Sequence, residues 1–201
     1  MRHRGMGNSI AAMALAIASF SASAQQPPSA GAYLGLAGGS AQHDFGGTAR
    51  AVGVFGGYRF GRFFAVEARF ADFGSGTRSE VIDTCPFECI VSSVETVYER
   101  RSADRVSIDL LGIVPIGARF EAFGRVGYGR THYEHMAGAN APARVVVGSN
   151  HANAADVAVG GRFHVTGPLD LRLEAERLAD ADGEQRITTT WIALEYRFGG
   201  G

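Results

Sequence analysis

The residues best equipped for chemistry in this 201-residue chain are six histidines, two cysteines and a long run of alternating acids and bases. His151 sits in Ser149-Asn-His-Ala-Asn153. An imidazole drives acyl transfer only with a Ser, Thr or Cys to activate. The position two after His151 is Asn153, and Ser149 lies two before it in a segment that reads as a polar loop, so no catalytic residue is assigned. His132 and His135 read as a same-face pair near a loop, with Glu134 on the other face. Without a third same-face ligand, no metal site is assigned there. Cys85 and Cys89 are separated by three residues, which is not the CxxC redox spacing, and no His or Cys cluster lies nearby. In an exported chain such a pair reads as a local disulfide that pinches one loop. Gly124-Arg-Val-Gly-Tyr-Gly129 is glycine-rich but falls inside a strand pattern, so no nucleotide cofactor is expected. The net charge of −1 offers no basic excess for nucleic acid.

The charges are informative through their spacing. Asp170, Arg172, Glu174 and Glu176 alternate with Leu169, Leu171, Leu173 and Ala175. A period of two is the signature of a strand with one polar and one apolar face. Eight such segments follow one another: Ala32 to Gln42, Ala49 to Phe60, Phe63 to Phe73, Ala103 to Ile116, Ala118 to Tyr133, Asn153 to Val165, Leu169 to Ala179 and Gln185 to Phe198. Most reach the 9–11 residues that a tilted strand needs to cross a bilayer. The polar faces collect Arg59, Glu67, Arg69, Glu121, Arg125, Arg162, Asp170, Arg172, Glu174, Glu176, Glu195 and Arg197, with Asp109 a further member. The apolar faces end in aromatics beside short turns: Tyr58, Phe60, Phe63, Phe64, Phe120, Phe163, Tyr196 and Phe198. That clustering matches an interfacial aromatic girdle.

The connections alternate as well. Tight links fall at Gly61-Arg62, around Gly117 and at Thr166-Gly167. Longer polar links cover residues 41–48, 74–102, 134–152 and 180–184. Short turns on one rim and long loops on the other suit an outer-membrane barrel, with turns in the periplasm and loops outside. At about eight strands the interior is just wide enough for side chains to fill. The inward charges are therefore expected to form an ion-pair network that plugs the lumen.

The chain begins with Arg2-His-Arg4, continues with the apolar run Ile10 to Ile17 and reaches Ala22-Ser-Ala24. That order reads as a signal peptide over residues 1–24, cleaved after Ala24. Residues 25–30 read as a disordered leader, 31–198 as the barrel and 199–201 as a glycine tail.

Gly31-Ala-Tyr-Leu-Gly35, Val54-Phe-Gly-Gly-Tyr-Arg-Phe60, Ala122-Phe-Gly-Arg-Val-Gly-Tyr-Gly129 and Ala193-Leu-Glu-Tyr-Arg-Phe198 carry a family resemblance. In their order and spacing, the chain resembles the OmpA-like small outer-membrane β-barrel proteins. The resemblance implies an all-β fold, an eight-stranded antiparallel up-and-down transmembrane β-barrel. Phe198 is followed by three glycines where that group typically ends on the aromatic, and the chain reads as the barrel alone. Some small outer-membrane barrels are lipid A deacylases with a His-x-Ser run, from which Asn153 departs.

The expectation is a non-enzymatic protein of the outer membrane, with a structural or adhesion-like role through its loops and without cofactors. Its expected partners are outer-membrane lipid and lipopolysaccharide, the barrel-assembly machinery, and an extracellular ligand at loops 74–102 and 134–152; it is expected to be a monomer. The alternative is a small porin-like pore, followed by a lipid A-modifying enzyme and a soluble lipocalin-like binder.

Overall fold

Alternating side chains and glycine-bearing turns produce eight antiparallel strands. The computed structural model describes residues 30–44, 47–83, 94–139, 145–180 and 186–198. Residues 1–29, which include the expected signal peptide, and Cys85, Cys89 and residues 199–201 lie outside the described residues. The strands are β1 (Gly31–His43), β2 (Thr48–Phe60), β3 (Phe64–Asp83), β4 (Val94–Ile116), β5 (Phe120–Ala139), β6 (Val145–Thr166), β7 (Leu169–Asp180) and β8 (Arg186–Arg197). Each pairs with the next, and β1 pairs with β8, so the sheet closes into a barrel.

The register is staggered. The row of paired residues that starts at Phe60 runs through Phe64, Gly112, Gly124, Val159, Ala175, Thr190 and Ser40, and returns to β2 at Arg50. The strands therefore tilt, and stagger and strand number together fix a narrow interior.

Three tight turns close one rim. Gly61 and Gly117 each adopt φ 73°, which a side chain would strain. Cross-bonds stitch these turns to the next strand: Ile113 N donates to Phe63 O at 2.7 Å and His164 N to Arg119 O at 2.8 Å. Phe198 N donates to Ala32 O at 2.9 Å, joining the two ends of the barrel at the same rim.

The opposite rim corrects the sequence expectation. Most of the expected loops 74–102 and 134–152 is strand: β3 pairs with β4 from Ser75–Ser102 to Asp83–Val94, and β5 pairs with β6 beyond Glu134–Ser149. The cause is a bulge between Asp72 and Ser75, where Gly74 takes φ 66° and its N–H donates to Asp72 Oδ1 at 2.7 Å. The bulge resets the period of two. Above it the sequence Ser75-Gly-Thr-Arg-Ser-Glu80 has no apolar face and so reads as a loop. Strands β3 to β6 reach 20 to 23 residues, against 12 or 13 for the other four.

The outer surface is apolar over its middle. Leu36, Val52, Ile108, Leu110, Val126, Val157, Val159, Leu173, Ile192 and Leu194 are all exposed. A soluble monomer rarely shows a continuous apolar belt of that size. All eight aromatics of the expected girdle are exposed, near the turn rim, with Tyr58–Phe60 and Tyr196–Phe198 ring pairs at 5.0 Å.

Candidate functional site

The distinctive chemistry of the molecule lies inside the barrel. Alternation sends one residue in two inward, and glycines at Gly35, Gly57, Gly127 and Gly160 leave room for large neighbours there. A Cβ on Gly35 would collide with the Phe55 ring, and one on Gly160 with the Phe123 ring. Space vacated by small residues is filled by long ones.

Among the described residues, six arginines and eight carboxylates are buried in the lumen: Arg59, Arg69, Arg105, Arg125, Arg162 and Arg172 with Glu67, Asp109, Glu121, Asp156, Asp170, Glu174, Glu176 and Glu195. Arg197 and His164, both partly exposed near the turn rim, add two further basic groups. The lower tier is built around Glu121. Arg59 donates to both its oxygens, at 3.0 and 2.8 Å, and also holds the β2–β3 turn through Gly61 O and Arg62 O. Arg162 bridges Glu121 at 2.9 Å and Glu195 at 3.0 Å. Asp170 meets His164 at 2.7 Å and Arg197 at 2.9 Å.

The middle tier is built around four arginines. Arg172 pairs with Glu67 at 2.7 Å and Glu174 at 2.6 Å, and Arg69 reaches the same two acids at 2.9 and 3.2 Å. Arg125 meets Asp109 at 2.6 Å, Asp156 at 2.7 Å, Glu174 at 2.7 Å and Glu176 at 3.2 Å. Arg105 pairs with Asp156 at 2.5 Å. Arg172 also lies 3.9 Å from Glu195, so the two tiers touch.

Aromatic rings separate the guanidiniums. Arg172 lies 4.8 Å from the Phe55 ring and 4.4 Å from Phe123, while Arg162 faces Tyr33 at 5.6 Å. Such faces attract a cation without needing a counter-charge. Above the charges an apolar layer spans the loop end, with Phe73 and Trp191 rings 6.0 Å apart among Tyr133, Leu178 and Ile187. Trp191 Nε1 donates to Glu176 Oε2 at 2.5 Å, tying the layer to the network.

The structure places every residue of the expected charge set inside the barrel, with Arg197 at its rim. The expected set left out Arg105, Asp156 and His164. It also missed the inward rings of Tyr33, Phe55, Phe73, Phe123 and Trp191. Parity alone could have found them: Phe123 lies between Glu121 and Arg125 in phase, and Trp191 lies four before Glu195.

The histidine reading needs correction. His132 and His135 are three apart on one strand, so they point to opposite faces; His135 keeps the inward phase of Thr131 and Tyr133. His132 instead stands opposite His151 on β6. Among the described residues no three His, Cys, Asp or Glu side chains form a ready metal site.

Residues 10–198 match the family described as outer membrane protein beta-barrel domain. Two solved structures are similar in fold. Neisserial surface protein A is 10% identical, with 84% of this chain and 97% of that one covered and a TM-score of 0.54. Ail, the attachment invasion locus protein of Yersinia pestis, is 14% identical, with 84% and 97% covered and a TM-score of 0.50. No curated protein matches the chain by sequence.

Proposed function

Because the chain belongs to the outer membrane protein beta-barrel domain family, we propose that it is a non-conducting, non-enzymatic scaffold that offers its β3–β6 ribbon to an extracellular partner. The observation that carries this reading is the length difference between strands: β3 to β6 run on past the apolar belt while the other four stop. Paired strands held above a membrane form a rigid platform, and contact surfaces on rigid scaffolds commonly carry function. The lumen supports a structural role, because its buried arginines and carboxylates pair with one another across the barrel.

In this reading the tight turns face the periplasm and the ribbon faces outward. Residues 1–24 direct export and are cleaved, the assembly machinery inserts the barrel, and it stands as a monomer among lipid and lipopolysaccharide. A Cys85–Cys89 disulfide belongs to the same reading.

The test deletes residues 75–83 and 94–102 and compares attachment of expressing cells to immobilised host matrix. Attachment is expected to fall several-fold, while heat-modifiable migration on gels confirms a folded barrel in the outer-membrane fraction. Equal attachment by the trimmed chain would overturn the reading.

A further inference from the structure

We propose that the outer face of β4, β5 and β6, just above the apolar belt, binds a divalent transition-metal cation through His132 and His151, with Asp104 holding His132 in place. The three side chains come from three adjacent strands. Asp104 is the direct partner of His132, and His132 is the direct partner of His151. Side chains paired this way sit about 5 Å apart at Cβ, close enough to share one ligand. All three face outward, and Arg130 and Glu134 on the same face place the row in polar surroundings, above Tyr128 and Val106.

The geometry fits chelation. The two imidazole centroids are 4.6 Å apart, with ring planes at 34°. Two imidazoles on one tetrahedral zinc, each bonded at about 2.0 Å, would place their centroids roughly 5 Å apart. The backbone therefore already holds the rings at chelating distance, and rotation about the side-chain bonds is the remaining adjustment. His132 Nδ1 lies 3.1 Å from Asp104 Oδ1. A carboxylate on Nδ1 fixes the proton there and turns Nε2 outward as a bare donor. Asp104 is thus a positioning residue and the two imidazoles are the ligands; water completes the coordination. Imidazole donors favour zinc, copper or nickel over magnesium or calcium.

The placement also suggests what the cation does. Between His135 and Met136 the β5–β6 pairing shifts register. A metal across His132 and His151 would clamp the two strands just below that irregularity, where the ribbon leaves the barrel.

The experiment titrates zinc chloride into the full chain, without a histidine tag and folded in detergent micelles, by calorimetry. Heat-modifiable migration on gels verifies the fold of every variant. One zinc per chain is expected, with magnesium giving no binding. His132→Ala and His151→Ala should each abolish binding. Asp104→Asn should weaken it by about 10–100-fold, and His135→Ala should leave it unchanged. Zinc binding that survives the His132→Ala/His151→Ala double variant would overturn the proposal, as would failure of the folded wild-type chain to take up zinc.

Discussion

Arg125 meets four carboxylates, from β4, β6 and β7, and its side chain is fully buried. Removing that charge leaves four buried carboxylates short of a counter-charge, a loss of the kind that costs about 3–5 kcal/mol. Arg125→Leu is therefore expected to lower the unfolding free energy of the barrel in lipid vesicles by that amount, read from its denaturant unfolding curve. Exposed Arg130, five residues along the same strand and on the other face, should change little when replaced by Gln. Gly35→Val makes a second case, because its side chain would occupy the space of the Phe55 ring. Displacing Phe55 also removes a face on which Arg69 and Arg172 rest at 5.2 and 4.8 Å. The folded fraction after refolding should fall, and Gly38→Val, with open space around it, serves as the control. At this scale the inward charges were legible because Glu and Arg mark their own phase. The inward aromatics were not, because Phe and Trp suit either face and a membrane barrel is apolar outside.

Strands β1, β2, β7 and β8 could be bounded in the sequence to within a residue or two, since their alternation starts and stops with the barrel. Strands β3 to β6 could not. Beyond the bulge at Gly74 the polar run Ser75 to Glu80 carries no apolar alternation, so the apolar signal vanishes although the hydrogen-bonded ladder continues. Pairing there is carried by backbone bonds, which leave no mark on composition. The tight turns were visible because their glycines fix them. Gly117→Val forces a branched side chain into φ 73° and should cost about 1–2 kcal/mol, read as an earlier midpoint in urea unfolding. Gly112→Val, on the outer face of β4 with nothing crowding it, should be neutral by the same measurement.

For the molecule as a whole, eight strands, closure and two dissimilar rims were all present in the rhythm of the sequence. Which charge meets which was not. Arg59 and Glu121 lie 62 positions apart, and Arg69 and Glu174 lie 105 apart. Their meeting depends on the stagger of the whole sheet, which no local pattern records. The ion pairs of the lumen and the apolar layer above them lead to a measurable expectation. Purified protein in a planar bilayer should show no stepwise conductance, and Trp191→Ala alone should not open it, because the charge tiers below remain paired. Steady channel steps from the wild-type chain would sink the closed-lumen reading.

The bond between Phe198 and Ala32 carries one more consequence. The β1–β8 seam runs antiparallel like the other seven, and among the described residues no further element covers it. The barrel thus has no privileged starting strand. A gene rearranged so that a short linker joins Phe198 to Gly31, with new ends opened between Asp180 and Arg186, should encode the same closed ring. Chain order would then be a historical choice that the finished architecture does not remember.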